Sequence, residues 1–280
     1  MSPRRRTTDI PLLPREVLFG NPDRAAPKVS HDGKQLAFLA PLAGVLNVWV
    51  ALADEPEKAR AVTHDTDRGI RIYFWGYTNR HILYLQDKGG DENWRVYAVD
   101  LATDETRDLT PFEKVAAQVQ EVSKEHPEEI LVGLNNRDAR YHDVHRVNIR
   151  TGELTLLQEN PDFLGFITDD DFNLRFAVRM TADGGEEVLK PGPAGSWEPY
   201  RTVAMEDTLT SGHVGFDKSG AVEYRTESRG RDTAALVAVD LKTEVETVLA
   251  QDDRVDVGGV MTHPTEKHRR GLLLTYWISP

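Results

Sequence analysis

A short apolar triplet returns six times along the chain at nearly constant spacing. The steps between successive triplets are 46, 48, 44, 48 and 50 residues. The triplets occupy residues 36–38, 82–84, 130–132, 174–176, 222–224 and 272–274. A fixed period of this length is typical of repeat architectures, in which one supersecondary unit recurs along the chain.

Within each period the polar and apolar positions predict four short antiparallel strands. An apolar segment opens the period, a turn rich in Asp, Asn, Gly or Pro follows, and the triplet forms the second strand. A third strand and a fourth strand are joined by hairpin turns such as 100–105, 148–153 and 240–244. Four such strands every 44 to 50 residues indicate an all-β protein, a β-propeller of four-stranded antiparallel blades. A sandwich or an up-and-down barrel is the rival interpretation, but neither explains the recurring four-strand unit.

The repeat also predicts where the blades begin and end. We expect an N-terminal tail and lead-in over residues 1–27 and the propeller over 28–280. Five complete blades and half of a sixth are expected, at approximately 28–64, 70–110, 117–158, 162–204, 212–250 and 255–276. A half-blade exposes unpaired backbone groups along its edge. The expectation is therefore an open ring or an incomplete chain.

Composition narrows the choice of partners and of chemistry. The formal charge is −12, and the basic cluster Arg4, Arg5 and Arg6 lies in the tail, so a nucleic-acid partner is not expected. No window approaches the apolar length of a membrane span, and no apolar signal segment opens the chain, so we expect no membrane partner and a cytoplasmic location. The absence of cysteine excludes disulfides, thiolate catalysis and Cys-ligated zinc.

Five stretches of the chain have a recognisable sequence: residues 8–12, 15–20, 87–101, 130–148 and 228–240, of which 130–148 is the most specific. These stretches resemble the N-terminal propeller of bacterial prolyl oligopeptidase-family serine peptidases. The resemblance covers about Thr7 to Tyr276, whereas residues 277–280 do not fit it. It implies a propeller of about seven blades that restricts entry to peptide-sized substrates, followed by an α/β-hydrolase domain with the Ser, Asp and His triad. The chain ends before such a domain would begin, which predicts a truncated, non-catalytic propeller.

The chain itself lacks the pattern that acyl transfer on such a hydrolase requires. No G-x-S-x-G pentapeptide occurs, and Ser196 and Ser211 lie in predicted loops without the helix of a nucleophile elbow. His142, Asp143 and His145 form the tightest histidine group, but residues three apart on a strand face opposite ways. We therefore expect no catalytic residue and no metal, and a structural role for these histidines.

Two further motifs are interpreted as structural. The glycine pairs 89–90 and 184–185 precede no helix and match no phosphate-loop pattern, so they predict hairpin turns and no cofactor. Glu186 and Glu187 are adjacent carboxylates, and some dipeptidases of the resembling family hold a substrate's amino terminus with paired propeller glutamates. Neighbours on a strand face opposite ways, so a solvated strand edge is expected instead.

The connections between second and third strands recur as polar loops at matched positions in the blades. Loops at matched positions would share one rim, where they could bind a partner domain or admit a peptide. Asp and Arg at hairpin ends also cap backbone groups and pair with each other, which is the structural alternative. The candidate rim residues are Asp91, Glu92, Asn93, Trp94, Arg137, Asp138, Arg140, Arg229, Arg231 and Asp232.

Three functions from different classes remain open. The first is a non-catalytic propeller of a prolyl oligopeptidase-like peptidase, which gates and docks peptides and has a hydrolase domain as its partner. The second is an interaction scaffold that completes its open sheet edge with a strand from a partner protein. The third is a propeller that hydrolyses sugars or lactones itself, although no constellation of residues selects it.

Overall fold

The computed structural model describes residues 12–267 and 269–274. The predicted tail before residue 12 and the end of the predicted half-blade after residue 274 lie outside these residues. A short helix, α1 (Arg15–Phe19), precedes the strands, and short 3-10 helices occur at Pro56–Lys58, Pro193–Gly195 and Met205–Asp207. The first strands are β1 (Ala25–Val29), β2 (Gln35–Leu42), β3 (Val45–Leu52), β4 (Arg60–Ala61), β5 (Ile72–Trp75), β6 (His81–Gln86), β7 (Arg95–Asp100), β8 (Glu105–Asp108), β9 (Ala117–Val122), β10 (Glu129–Asp138), β11 (Tyr141–Asn148) and β12 (Leu154–Gln158).

The remaining strands continue the same order. They are β13 (Gly165–Thr168), β14 (Leu174–Met180), β15 (Glu186–Pro191), β16 (Trp197–Val203), β17 (Gly212–Phe216), β18 (Val222–Glu227), β19 (Ala235–Asp240), β20 (Glu246–Ala250), β21 (Val257–Thr262) and β22 (Arg269–Leu274). In the described residues they form five four-stranded sheets and one two-stranded sheet, β21–β22, each with neighbouring strands consecutive in the chain. The predicted blades, five complete and half of a sixth, are confirmed.

The chain divides into two compact units. The first holds the chain up to Val119 together with Pro127–Ile130 and Val147–Thr155. The second holds Gln120–His126, Leu131–Arg146 and the chain from Leu156 onward. The predicted boundaries of the tail and of the individual blades stay predictions.

The hairpin turns between third and fourth strands repeat one chemistry in three blades. In each turn an Asp or Asn carboxyl or amide oxygen accepts the backbone amide two residues later, at 2.9 to 3.0 Å, in pairs Asp100 with Ala102, Asn148 with Arg150 and Asp240 with Lys242. The residue four positions after the Asp or Asn donates its amide back to the same residue's carbonyl at 2.8 Å. That residue takes a positive φ, which is 59° at Asp104, 77° at Gly152 and 58° at Glu244. Short polar side chains that bond the local backbone are what this turn requires.

Within each unit, apolar side chains of successive sheets pack together to form the core. In the first unit, side chains of the first blade such as Ala37 and Val48 pack against Tyr73, Trp75 and Ile82 of the second, and all are at most 3% exposed. The Tyr73 hydroxyl donates to the carbonyl of Ala26 at 2.5 Å, and the Trp75 indole donates to Lys28 at 3.0 Å. In the second unit, Leu131 and Val144 pack against the Phe163 and Phe166 rings. Each aromatic ring thus buries its apolar body while its polar atom, where it has one, finds a carbonyl.

Two predicted fourth strands end earlier than expected. The pattern placed fourth strands at 61–63 and 109–110, but β4 ends at Ala61 and β8 ends at Asp108. The Thr63 hydroxyl accepts the amide of Val48 at 2.8 Å, and the Thr110 hydroxyl accepts that of Val96 at 3.0 Å. In both blades a side-chain oxygen thus replaces the backbone carbonyl of the ladder, and regular pairing stops there.

The fourth blade also begins later than predicted. The apolar segment 163–167 predicted its first strand, but β13 begins at Gly165. Phe163 instead lies before the strand, where its amide donates to the Asn160 side chain at 2.7 Å and the Asn160 amide group donates to its carbonyl at 3.0 Å. Because both backbone groups bond this side chain, Phe163 does not join the strand ladder.

Candidate functional site

A polar cavity of about 420 Å³ lies within the second unit. Its walls come from the first strands of three consecutive blades, β9, β13 and β17, from the turns that follow two of them, and from Thr262 and Lys267. Ionisable groups dominate these walls. They are Glu121, Asp169, Asp170, Asp171, His213, Asp217, Lys218 and Lys267.

Two of the carboxylates are caps of turns. Asp169 accepts the Arg175 guanidinium at 2.9 Å and the Asn173 backbone amide at 3.0 Å. Asp217 accepts the Ser219 hydroxyl at 2.6 Å and the Val222 amide at 2.9 Å. Burial acts to raise the pKa of Asp217, but these hydrogen bonds outweigh it and hold the pKa below its usual value. Both carboxylates therefore serve the turns.

Glu121 differs from these capping carboxylates. One carboxyl oxygen accepts the amide of Val122 at 3.0 Å, and the other accepts the Thr168 hydroxyl at 3.4 Å. Burial raises the pKa of Glu121, the neighbouring Asp170 raises it further, and Lys267 opposes the shift. Desolvation disfavours the charged form of a carboxyl group. Its burial in the cavity wall therefore favours the protonated form of Glu121.

His213 is oriented by a buried carboxylate. Its Nδ1 lies 3.1 Å from a carboxyl oxygen of Glu223, whose side chain is 1% exposed. The ring packs at a tilt against Phe216, with the ring centroids 4.7 Å apart. A carboxylate oxygen accepts hydrogen bonds, so the contact with Glu223 fixes the orientation of the His213 ring in the cavity wall.

Glu223 opens a row of buried charges on β18. The buried residues of this strand are Glu223, Arg225 and Glu227, each at most 5% exposed. Arg225 Nε lies 3.2 Å from a Glu227 oxygen, and its Nη2 lies 2.8 Å from Glu246. Since alternate residues of a strand share a face, the sequence Glu-x-Arg-x-Glu places all three charges on one side. These charges compensate one another in the interior.

Arg201 of β16 completes this cluster. It is 9% exposed, and within the described part of the chain its Nε and Nη1 have no hydrogen-bond partner. Burial lowers the pKa of Arg201, and the nearby Glu223 and Glu227 oppose that shift. The repeat predicts an apolar triplet at 222–224, and this prediction is wrong in one respect: the buried side chain is Glu223, whereas Val222 is half-buried. The alternation of Glu and Arg was the signal that could have revealed it.

The first candidate rim loop belongs to the first unit and is held by local hydrogen bonds. The Asp91 carboxylate accepts the backbone amide of Asn93 at 3.1 Å and its side-chain amide at 3.2 Å. The side-chain bond from Asn93 lowers the pKa of Asp91, although burial opposes it. Glu92 is exposed and adopts a φ of 59°, and Trp94 is half-buried. Asp91 thus acts as a turn cap.

The second loop, in the second unit, is held in place by the hydrogen bonds of Arg137. Arg137 donates two hydrogen bonds of 2.8 Å to the Asp143 carboxylate and a third of 2.7 Å to the Asn160 carbonyl. The Asn160 amide in turn donates to Asp143 at 2.7 Å. Asp138 and Arg140 pair across the loop end at 2.8 Å, and this hydrogen bond lowers the pKa of Asp138 to about 2. Arg137 therefore fixes the link to the fourth blade.

The third loop, also in the second unit, repeats this pattern with other residues. Arg229 donates to both oxygens of Glu227, at 2.7 and 2.6 Å. Arg231 donates to the side chain of Gln251 at 2.9 Å, whereas Asp232 is exposed. The bidentate geometry accounts for Arg229 without a ligand. That the three loops form a common rim which binds a partner stays a prediction.

The motifs interpreted as structural have local contacts. His145 Nδ1 lies 3.0 Å from the Asp143 carbonyl, a local backbone contact. Glu187 accepts Arg179 at 2.5 Å, an ion pair that neighbouring Glu186 does not share in the contacts described. The glycine pairs 89–90 and 184–185 lie in the turns β6–β7 and β14–β15, as predicted.

Among the described residues, no helix has both the length and the apolar character needed to cross a membrane. Likewise, no group of three or more His, Asp or Glu side chains in that part of the chain is arranged to hold a metal ion.

Comparison with known proteins identifies relatives over nearly the whole chain. No protein-family model matches it. The chain is 48% identical over 260 residues to dipeptidyl aminopeptidase BIII of Pseudoxanthomonas mexicana, covering 92% of this chain and 38% of that protein. It is 30% identical over 277 residues to dipeptidyl peptidase family member 6 of Caenorhabditis elegans, covering 93% and 37%. The chain thus spans less than two fifths of the length of either relative.

Solved structures share the fold at low sequence identity. A prolyl endopeptidase superposes with a TM-score of 0.57 at 15% identity, covering 81% of this chain and 35% of that one. Oligopeptidase B from Leishmania major gives 0.52 at 11% identity, covering 87% and 37%. The β-propeller domain of the trilobed protease from Pyrococcus furiosus gives 0.50 at 15% identity, covering 85% and 73%. These similarities show the propeller fold.

Proposed function

The chain is related to peptidases of the prolyl oligopeptidase family and has the fold of their propellers, and on that premise we propose a non-catalytic role. It serves as the propeller of such a peptidase, where it gates the access of peptides and docks against a hydrolase domain. One observation carries this proposal. This chain aligns over 92% of its length with 38% of a dipeptidyl aminopeptidase, and it contains no G-x-S-x-G elbow.

The cavity of the second unit supports the gating role. A volume of about 420 Å³ is within the range of small-molecule sites. Glu121 and the His213–Glu223 pair offer groups that accept or donate hydrogen bonds to a peptide backbone. The capping carboxylates Asp169 and Asp217 keep the walls fixed while a ligand enters.

The segment around α1 supports the docking role. Five large apolar side chains are exposed within eight residues: Leu12 at 95%, Leu13 at 65%, Val17 at 70%, Leu18 at 57% and Phe19 at 81%. Contiguous exposed apolar surface of this kind marks interaction sites. We propose that the hydrolase domain covers this segment.

A chimera tests the proposal. In dipeptidyl aminopeptidase BIII, the segment that this chain matches is replaced by this chain, and hydrolysis of a dipeptidyl p-nitroanilide is measured. We expect the chimera to hydrolyse the substrate, whereas the chain alone shows no turnover and no labelling by a fluorophosphonate probe. Labelling of the chain alone contradicts the proposal, as does a folded chimera without activity.

The docking segment has a matched control within the chain. We expect Phe19→Ser in the chimera to lower its activity and its melting temperature. Leu209→Gln removes an apolar side chain that is even more exposed, at 96%, and lies far along the chain from α1; we expect it to leave both unchanged. Equal effects of the two substitutions contradict docking at α1.

A second candidate function rests on the last sheet. Within the described residues β21 and β22 form a two-stranded sheet, whereas the other sheets have four strands. An interaction scaffold would add strands from a partner to such a sheet. A discrete dimer in light scattering over a concentration series supports this candidate, and a monomer throughout contradicts self-pairing. The cytoplasmic location stays a prediction.

A further inference from the structure

The turn between β21 and β22, residues 263–267, makes contacts far along the chain. Lys124 donates to the Thr265 carbonyl at 3.1 Å, across 141 residues of sequence. The Lys218 ammonium lies 3.2 Å from both carboxyl oxygens of Glu266. Lys267 donates to the Asp170 carboxylate at 2.9 Å. All of these residues belong to the second unit.

The three partners share one structural position. Lys124 follows β9, Asp170 follows β13 and Lys218 follows β17, so each lies in the turn after the first strand of its blade. These first strands are the walls of the 420 Å³ cavity. A segment bound to the turns at the same end of all three wall strands lies across that end of the cavity. Lys267 itself is one of the cavity's lining residues.

The turn is also stabilised by hydrogen bonds between its own residues. The Lys267 amide donates to the His263 carbonyl at 3.0 Å, and Lys267 adopts a left-handed φ of 55°. The His263 Nδ1 accepts the amide of Glu266 at 3.0 Å. The ion pairs that attach the turn to the rest of the chain, in contrast, are solvent-accessible. Lys218 and Glu266 are 60% and 51% exposed, and Lys267 and Asp170 are 25% and 32% exposed.

We propose that residues 263–267 form a strap that closes one end of the cavity and is released by weakening its three lysine contacts. Exposed ion pairs are weak and are screened by salt. The strap is therefore closed at low ionic strength, and it opens when salt weakens the ion pairs that hold it. Released, it also withdraws the Lys267 ammonium from the carboxylates of Asp170 and Glu121. This proposal deepens the gating role proposed above and rests on it for what enters the cavity.

Cavity access is measured by the labelling of a single cysteine. The chain has no cysteine, so Val214→Cys places one thiol on a cavity wall. The reaction rate of this thiol with a small neutral maleimide is measured at low and high NaCl. It is measured again after Lys218→Gln or Lys267→Gln is combined with Val214→Cys. We expect each lysine substitution to accelerate labelling roughly threefold at low salt, in line with a weak exposed contact, and salt to accelerate the parent. Lys242→Gln is the matched control, since Lys242 lies in a turn of the fifth blade and makes no strap contact in the interactions described.

Two further measurements separate the outcomes. Val248→Cys, on the 42%-exposed Val248, reports any effect of salt on the reagent itself. Hydrogen exchange of residues 263–267 in the unsubstituted chain rises with salt if the strap opens, and this needs no substitution. Labelling rates of Lys218→Gln and Lys267→Gln equal to that of Lys242→Gln, with salt-independent exchange, overturn the strap and leave the proposed function standing. If the strap opens as expected but the folded chimera has no activity, the strap stands and only the proposed function is overturned.

Discussion

Replacing Glu227 by Gln removes one charge from the buried row on β18. The Glu227 side chain is 3% exposed and accepts two hydrogen bonds from Arg229, at 2.7 and 2.6 Å. It also lies 3.2 Å from Arg225 Nε. Gln keeps one carbonyl acceptor, but its NH₂ group turns a donor toward guanidinium donors. The substitution therefore leaves two arginines without their shared carboxylate.

The expected loss follows from these contacts. Removing one partner of a buried ion pair costs about 3–5 kcal/mol. The remaining Gln carbonyl retains one hydrogen bond, which contributes about 1 kcal/mol. We expect Glu227→Gln to lower the free energy of unfolding by about 2–4 kcal/mol at neutral pH. The matched control is Glu105→Gln, where a 62%-exposed glutamate pairs with Arg107 at 2.7 Å, and we expect a change within about 0.5 kcal/mol.

The pH dependence has a defined sign. Burial acts to raise the pKa of Glu227, but Arg229 and Arg225 outweigh it and lower the pKa. A carboxyl whose pKa is lowered by folding stabilises the protein above its unfolded pKa, near 4.3, and this contribution is lost as the pH falls through the folded pKa. Gln does not titrate. The difference between the parent and Glu227→Gln is therefore largest near neutral pH and shrinks below about pH 4.

Urea unfolding measures both effects, followed by circular dichroism and by tryptophan fluorescence. Coincident transitions of the two probes are required before a free energy is extracted. A loss at neutral pH no greater than that of Glu105→Gln would refute the reasoning. So would a difference between the parent and Glu227→Gln that grows in acid.

Three other substitutions have defined outcomes. Leu131→Ala, at a fully buried position, lowers the free energy of unfolding by about 2–5 kcal/mol in urea titrations, whereas the same change at the 47%-exposed Leu156 has little effect. Glu121→Gln raises the melting temperature near pH 8 and loses this advantage toward pH 4, because burial raises the pKa of Glu121 and the ionised form is the unfavourable one. Arg137→Met lowers the melting temperature more than Arg140→Met does, because Arg137 bonds Asp143 and Asn160 while Arg140 pairs only within its own loop end in the contacts described. Equal melting temperatures for the last two would favour a binding role for Arg137.

The hairpins could be predicted from the sequence because their chemistry is local. Asp100, Asn148 and Asp240 each bond an amide two residues away, so a short window of sequence contains the whole turn. The ends of β4 and β8 could not be predicted in this way. They depend on Thr63 and Thr110, whose hydroxyls bond amides 15 and 14 residues away. An apolar pattern alone does not show when a side chain takes over from the backbone.

The candidate site was predicted less well than the fold. The sequence indicates arginines and aspartates of the loops as candidates, and in the structure Arg137 and Arg229 form ion pairs with carboxylates of their own blades, Asp143 and Glu227. The cavity walls were predicted only as strands, because Glu121 and His213 carry no recognisable motif. Their significance depends on partners on other strands, Thr168 of the next blade for Glu121 and Glu223 of the neighbouring strand for His213.

The position of Glu223 connects the repeat to the cavity. In a propeller the turns and ladders specify each blade, so the faces between blades can differ in character without changing the fold. The corresponding triplets of the first two blades bury Ala37 and Leu83, whereas the fifth buries Glu223. A charge at an apolar position of the repeat is costly unless it is compensated. Here the compensation comes from Arg225 and from His213, and the latter is a wall of the cavity. Glu223, which departs from the apolar repeat, is thus also the residue that orients a histidine of the cavity wall. Polar residues at apolar positions of the repeat are therefore the positions at which we expect functional residues in this chain.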